Sequence, residues 1–219
     1  MAKIALLGAA GRIGSEIREE ALRRGHQVTA LVRSEGRIAP APNLEVSATD
    51  AYDAASVAGA VAGHDVFISA FSPDPNEPFE GKPERLREAH AAILSGVRSA
   101  GVKRVILVGG VGSLRAAPDS NVLVVDSEEY GTSNRGPTLA NLEILNGLKT
   151  EGEDLDWTYV SPPRRIEAGE RTGVFRVAED HLLRDADGVS RISRADFAIA
   201  ILDEVANDAF VQGRFTVAY

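Results

Sequence analysis

Short apolar runs alternate with amphipathic stretches along the first two-thirds of the chain. Lys3, Ile4, Ala5, Leu6 and Leu7 form a nearly continuous apolar run, and residues 12–24 follow with Ile13, Ile17 and Ala21 on one face before Gly25. That pairing predicts a buried strand and then a helix. Residues 27–32 predict a second strand, residues 44–46 a weaker third and residues 66–70 a fourth, with a helix over 54–61 between the last two. The opening order reads βαββαβ, with the third connection left open. A longer helix is expected after Pro83 and up to Ala100, where Gly101 ends it ahead of a fifth strand at 104–108. The next helix starts near Pro137 and carries Leu139, Leu142, Leu145 and Leu148. It yields to residues 156–160, whose aromatic and β-branched side chains read as a sixth strand.

After Pro162 and Pro163 the pattern shortens. Segments 173–177 and 189–192 flank the turn sequence Asp185-Ala186-Asp187-Gly188. Ser193 followed by Asp196 marks a helix start, Phe197, Ile201 and Val205 form its buried stripe, and residues 214–218 make a last strand. Strands separated by helices predict an α/β fold: a doubly wound, mostly parallel Rossmann-like sheet in one domain over 1–219, with 162–192 as a small substrate-side elaboration. Two connections, 72–82 and 110–136, are long for structureless loops. Both follow carboxyl ends of strands, the edge where open α/β sheets bind ligands.

Composition narrows the function. A chain of 219 residues with net charge −8 offers no long-range attraction for nucleic acid or an anionic membrane. No run is long enough to span a bilayer and no signal peptide is recognised, so a cytoplasmic address is expected. Cysteine is absent and the four histidines lack ligand spacing, which predicts no metal site and leaves any redox chemistry to an organic cofactor.

The most specific motif is Gly8-Ala9-Ala10-Gly11-Arg12-Ile13-Gly14, set between the first strand and the first helix. Small residues there let the backbone turn and approach a pyrophosphate, which free amides and the positive helix end stabilise. Arg12 can add charge-assisted hydrogen bonds. The Gly-x-x-Gly-x-x-Gly spacing departs from the Gly-x-Gly-x-x-Gly of many dehydrogenases but keeps its physical logic. Where an acidic residue would bind the ribose of NAD, the sequence has Val32-Arg33-Ser34. Arg33, with Arg37 in reserve, favours a 2′-phosphate, so NADP(H) is the preferred cofactor and NAD(H) the second choice.

These residues resemble the atypical short-chain dehydrogenase/reductase group that includes NmrA-like proteins, biliverdin reductase B-like proteins and those assigned as NADH-flavin reductases. The resemblance covers nearly the whole chain and also rests on Ala48-Thr49-Asp50, Ser69-Ala70-Phe71, Asp156-Trp157-Thr158, Ser161-Pro162-Pro163, Arg171-Thr172-Gly173 and Arg214-Phe215-Thr216-Val217. It implies that Asp50 and Ala51 contact the adenine and that Ser69, Ala70 and Phe71 cover the ribose and pyrophosphate. It also implies that Gly109 and Gly110 lie beside the nicotinamide and that Pro162 joins the cofactor-binding set. For Asp50 a turn or helix-capping role is an equal alternative.

The Tyr-x-x-x-Lys pair of most short-chain dehydrogenases is missing: Tyr130 is followed four positions on by Asn134, Tyr159 by Pro163 and Tyr52 by Ser56. No catalytic residue is therefore assigned. His90 reads as a hydrogen-bonded helix histidine, and Asp180, His181 and Ser113 read as turn residues. Hydride transfer to a flavin, bound as substrate, needs stacking more than proton transfer, and Gly109-Gly110 would leave space for it. The expected function is hydride transfer from NADPH to a flavin or quinone-like acceptor. The alternatives are an NADP(H)-binding redox sensor without turnover and an atypical isomerase or epimerase. A homodimer is left open.

Overall fold

The computed structural model describes residues 1–36, 38–74, 76, 78–131 and 135–219; Arg37 lies outside the described residues. The apolar runs form β1 (Lys3–Leu7), β2 (Gln27–Val32), β3 (Leu44–Ala48), β4 (Val66–Ser69), β5 (Arg104–Val108) and β6 (Asp156–Ser161). The amphipathic stretches form α1 (Arg12–Arg23), α2 (Ala54–Val61), α3 (Lys82–Ser99), α4 (Arg135–Glu151) and α5 (Arg194–Asn207). The remaining strands are β7 (Arg165–Glu167), β8 (Arg176–Ala178), β9 (Arg191–Ser193) and β10 (Gly213–Ala218).

Eight strands share one sheet in the order β3-β2-β1-β4-β5-β6-β10-β8, parallel except for β8, and β7 pairs with β9 apart from it. This is the doubly wound Rossmann-like fold. The chain starts in the middle at β1, builds outward to β3, then returns to β4 on the other flank. The switch point therefore lies between the carboxyl ends of β1 and β4.

Two buried layers hold the sheet. One includes Ile17, Ala21, Phe197 and Ile201 of α1 and α5 against Ile4, Leu6, Ile68 and Phe215. The other includes Val57, Ala89, Ile93, Val97, Leu145 and Leu148 of α2, α3 and α4 against Leu7, Phe67 and Leu107. Both helix faces are apolar at the expected spacing, although α5 buries seven consecutive residues from Asp196 to Leu202, more than a single stripe. Ser193 caps α5 by accepting the Asp196 amide at 3.0 Å. Away from the ligand edge, at the start of β5, Arg104 bonds Glu204 of α5 and Thr158 of β6, and Thr158 in turn donates to Glu204.

Segment 162–192 is more dispersed than its sequence suggests. The predicted strands 173–177 and 189–192 shift to β8 and β9, and the Asp196 carboxylate, accepting the Thr172 and Gly173 amides at 2.8 Å, holds the start of the first segment out of a ladder. Arg171 forks onto Glu20 of α1 at 2.8 and 2.9 Å. Glu20 is buried and also bonds Arg23 and Arg24, so its carboxyl is lowered to about 2, chiefly by the Arg171 hydrogen bond. Connection 110–136 is not structureless either. It contains 3-10 turns at Val111–Ser113, Val124–Asp126 and Glu128–Tyr130, and Leu114 and Val124 pack with Leu182.

Candidate active site

The turn after β1 is built by backbone contact. Gly8 has φ +79° and lies so close to β4 that a Cβ would stand 2.6 Å from the Ala70 carbonyl oxygen. A Cβ on Gly14 would stand 2.1 Å from the Gly8 carbonyl oxygen, so only glycine lets α1 start against the turn. The Gly11 amide donates to Gly8 O at 2.9 Å, and Arg18 braces the loop by donating to Ala9 O at 3.0 Å. Gly11 is the N-cap of α1 and supplies no side-chain cap. The first-turn amides of Arg12, Ile13 and Gly14 have no intrahelical carbonyl to meet. Ala10, Gly11 and Arg12 are exposed, while Ile13 is half-buried against the core. An anionic pyrophosphate fits this cradle, which has backbone donors, a positive helix end and one arginine.

The β4 end closes over the turn. Ala70 N donates to Leu7 O at 3.0 Å, and the buried Ser69 hydroxyl accepts the Phe71 amide at 3.3 Å. Phe71 meets Tyr52 and His90 edge to face, and Arg85 lies over the Tyr52 ring at 3.7 Å. Asp50 is exposed and its carboxylate accepts the Tyr52 amide at 2.9 Å, which is a turn role. Ala51 is buried in the α2–α3 layer. Arg33, at the end of β2, pairs with Asp74 at 2.8 Å.

On the other flank the geometry departs from expectation. Gly109 was expected to leave room for a stacked ring, but its Cβ direction runs into the buried Tyr159 ring, with Cζ 1.9 Å away. Glycine is required there by the protein's own phenol. The Gly110 amide donates to the Tyr159 hydroxyl at 3.2 Å, and that hydroxyl donates to Asn141 O at 3.0 Å. Burial pushes the phenol well above its ordinary range. Ser113 donates to Gly110 O at 3.2 Å and lies 3.1 Å from the Ser161 hydroxyl, tying the turn after β5 to the end of β6; half-buried Pro162 follows. The sequence carried no signal for the Gly109–Tyr159 contact, because the partners are 50 positions apart.

The other candidates take structural roles. His90 Nδ1 bonds Leu86 O at 2.9 Å, and burial pushes the imidazole down. Asp180 pairs with Arg214, and its carbonyl accepts the Arg115 amide at 2.7 Å. His181 pairs with Arg115 in an isolated bridge. Tyr130 OH is bonded to the Thr138 hydroxyl. Among the described residues no group of three metal-binding side chains lies together, and no helix is long and apolar enough to cross a membrane.

Comparison with known proteins agrees with this geometry. A family model described as NAD(P)H-binding matches residues 8–207. A Burkholderia pseudomallei structure, provisionally named an exported protein, is 43% identical with TM-score 0.87, and the match covers 100% of both chains. A provisionally assigned epimerase from Bacteroides thetaiotaomicron is 35% identical with TM-score 0.88, covering 99% of this chain and 96% of that one. A provisionally assigned NADH-flavin reductase from Streptococcus pneumoniae TIGR4 is 28% identical with TM-score 0.83, covering 100% and 99%.

Proposed function

The chain belongs to the NAD(P)H-binding family, and from that premise we propose that it is a cytoplasmic oxidoreductase passing hydride from NADPH to a flavin or similar conjugated acceptor. The nicotinamide supplies the hydride. The protein's residues bind and orient. The amides of Arg12, Ile13 and Gly14 take the pyrophosphate, Arg33 takes the 2′-phosphate, and Gly110 with Pro162 borders the reacting end.

The observation that carries this reading is the state of Tyr159. Its hydroxyl is the phenol beside Gly110, yet it is buried, bonded on both sides and pushed up in pKa. A phenol so held is a poor proton donor or acceptor, and Tyr130 is engaged with Thr138. Carbonyl reduction needs a proton delivered to the nascent alkoxide. A flavin accepts hydride at a ring nitrogen without one from the protein, so proximity and orientation suffice.

The test is to mix purified protein with NADPH and, separately, FMN, FAD and riboflavin, measuring cofactor occupancy before turnover. Flavin-dependent loss of NADPH absorbance is expected. Tight binding with no turnover would instead indicate a sensor, and a retained cofactor with no net consumption an epimerase, the activity in the name of the 35% identical Bacteroides neighbour. Arg33→Asp should weaken NADPH at least tenfold while changing NADH little, a loss of about 1.4 kcal/mol or more. Equal loss of both would remove Arg33 from the 2′-phosphate site.

A further inference from the structure

We infer that Asp74 is a specificity-determining residue of the dinucleotide site: a built-in counter-anion that limits how strongly Arg33 reads a 2′-phosphate. The inference rests on the NAD(P)H reading above and concerns the choice between the two dinucleotides. Strand order places β2, β1 and β4 side by side. A contact between the segment leaving β2 and the segment leaving β4 must therefore pass over the carboxyl end of β1, where the glycine turn begins. The Arg33–Asp74 ion pair, Nη1 to Oδ2 at 2.8 Å, is such a contact.

The two partners differ in exposure. The Asp74 side chain is 21% exposed and that of Arg33 is 74% exposed. Asp74 is also fixed by its own turn, with Oδ1 accepting the Asn76 amide at 2.9 Å. That amide, and then the Arg33 guanidinium, hold its carboxyl below the usual range, so it is charged at neutral pH. A phosphate brought to this guanidinium adds a second anion beside the first and must share or displace it. A ribose 2′-hydroxyl is neutral and can donate to a carboxylate, so NADH meets no such repulsion. Asp74 thus narrows the advantage of NADPH that Arg33 alone would confer.

The experiment measures dissociation constants of NADPH and NADH for the whole protein and for Asp74→Asn, by cofactor fluorescence at low and high salt. Asp74→Asn should tighten NADPH about tenfold at low salt and leave NADH within about twofold, with the difference shrinking as salt screens the pair. If the original protein binds dinucleotide and Asp74→Asn leaves the NADPH/NADH ratio unchanged, the inference is overturned and the dinucleotide reading stands. If the original protein binds neither, both fall. Thermal melting of Asp74→Asn checks that the fold is intact, and Asp74→Ser, which also removes the charge, should reproduce the shift in ratio.

Discussion

The turn after β1 and the turn after β5 both carry glycines at the carboxyl edge of the sheet, and they use the missing side chain differently. In the first turn, Gly8 and Gly14 let backbone meet backbone, and the first-turn amides of α1 are left without an intrahelical acceptor. In the second, the space beside Gly109 is filled by Tyr159, and the Gly110 amide is spent on the phenol oxygen. The same residue type brings backbone against backbone in one place and accepts a core side chain in the other. A glycine in a sequence reports close approach without saying what approaches.

The largest expected effect separates the two uses. Gly14→Ala and Gly109→Ala should each cost about 3 kcal/mol by overpacking. Adding Tyr159→Leu should recover part of that loss in the Gly109→Ala background and none in the Gly14→Ala background, where the obstruction is a carbonyl. Chemical denaturation of the four variants checks this. Equal rescue in both backgrounds would break the comparison.

A smaller effect concerns what holds the first turn's helix. Glu20→Gln leaves Arg23, Arg24 and Arg171 around a neutral amide and should cost about 2 kcal/mol, less than a fully buried pair because the arginines are partly exposed. The folded pKa of Glu20, about 2, lies below the ordinary 4.5. Its contribution is therefore complete above pH 4.5 and is lost as pH falls towards 2. Melting temperature should fall across that window in the original protein and less steeply in Glu20→Gln.

The smallest effect lies on the second flank. Thr216 of β10, opposite Ser161 in register, is fully buried and its hydroxyl has no hydrogen-bond partner among the described residues. Thr216→Val keeps the shape, removes the unmet hydroxyl and should stabilise the protein by about 1 kcal/mol. A destabilised variant in urea titration would mean that this oxygen has a partner after all.

Much of the architecture was legible because strand and helix periods are local. The bounds of β1, β2, α2 and β5 coincide with their apolar patterns, and Ser193 with Asp196 marked α5 correctly. The three-residue strands β7 and β8 were misplaced or missed, since so short a run has no period and its partner lies far along the chain. The glycine turn was legible for the same local reason. The pairing of Arg33 with Asp74 and of Gly109 with Tyr159 was not, because strand order alone brings those positions together.

That sheet order also bears on how the protein is made. Among the described residues β7 finds its ladder in β9, and β8 finds its own in β10, which separates β8 from β6. At ribosomal rates, the roughly 35 residues between β8 and its partner take about 2 to 7 seconds to emerge. Through that interval the nascent β8, with its Val177 and the preceding Val174 exposed even in the finished protein, waits for the strand it joins. Strands β1 to β6 can pair on the ribosome, while the α1 face of the sheet waits for α5 and the far edge for β10.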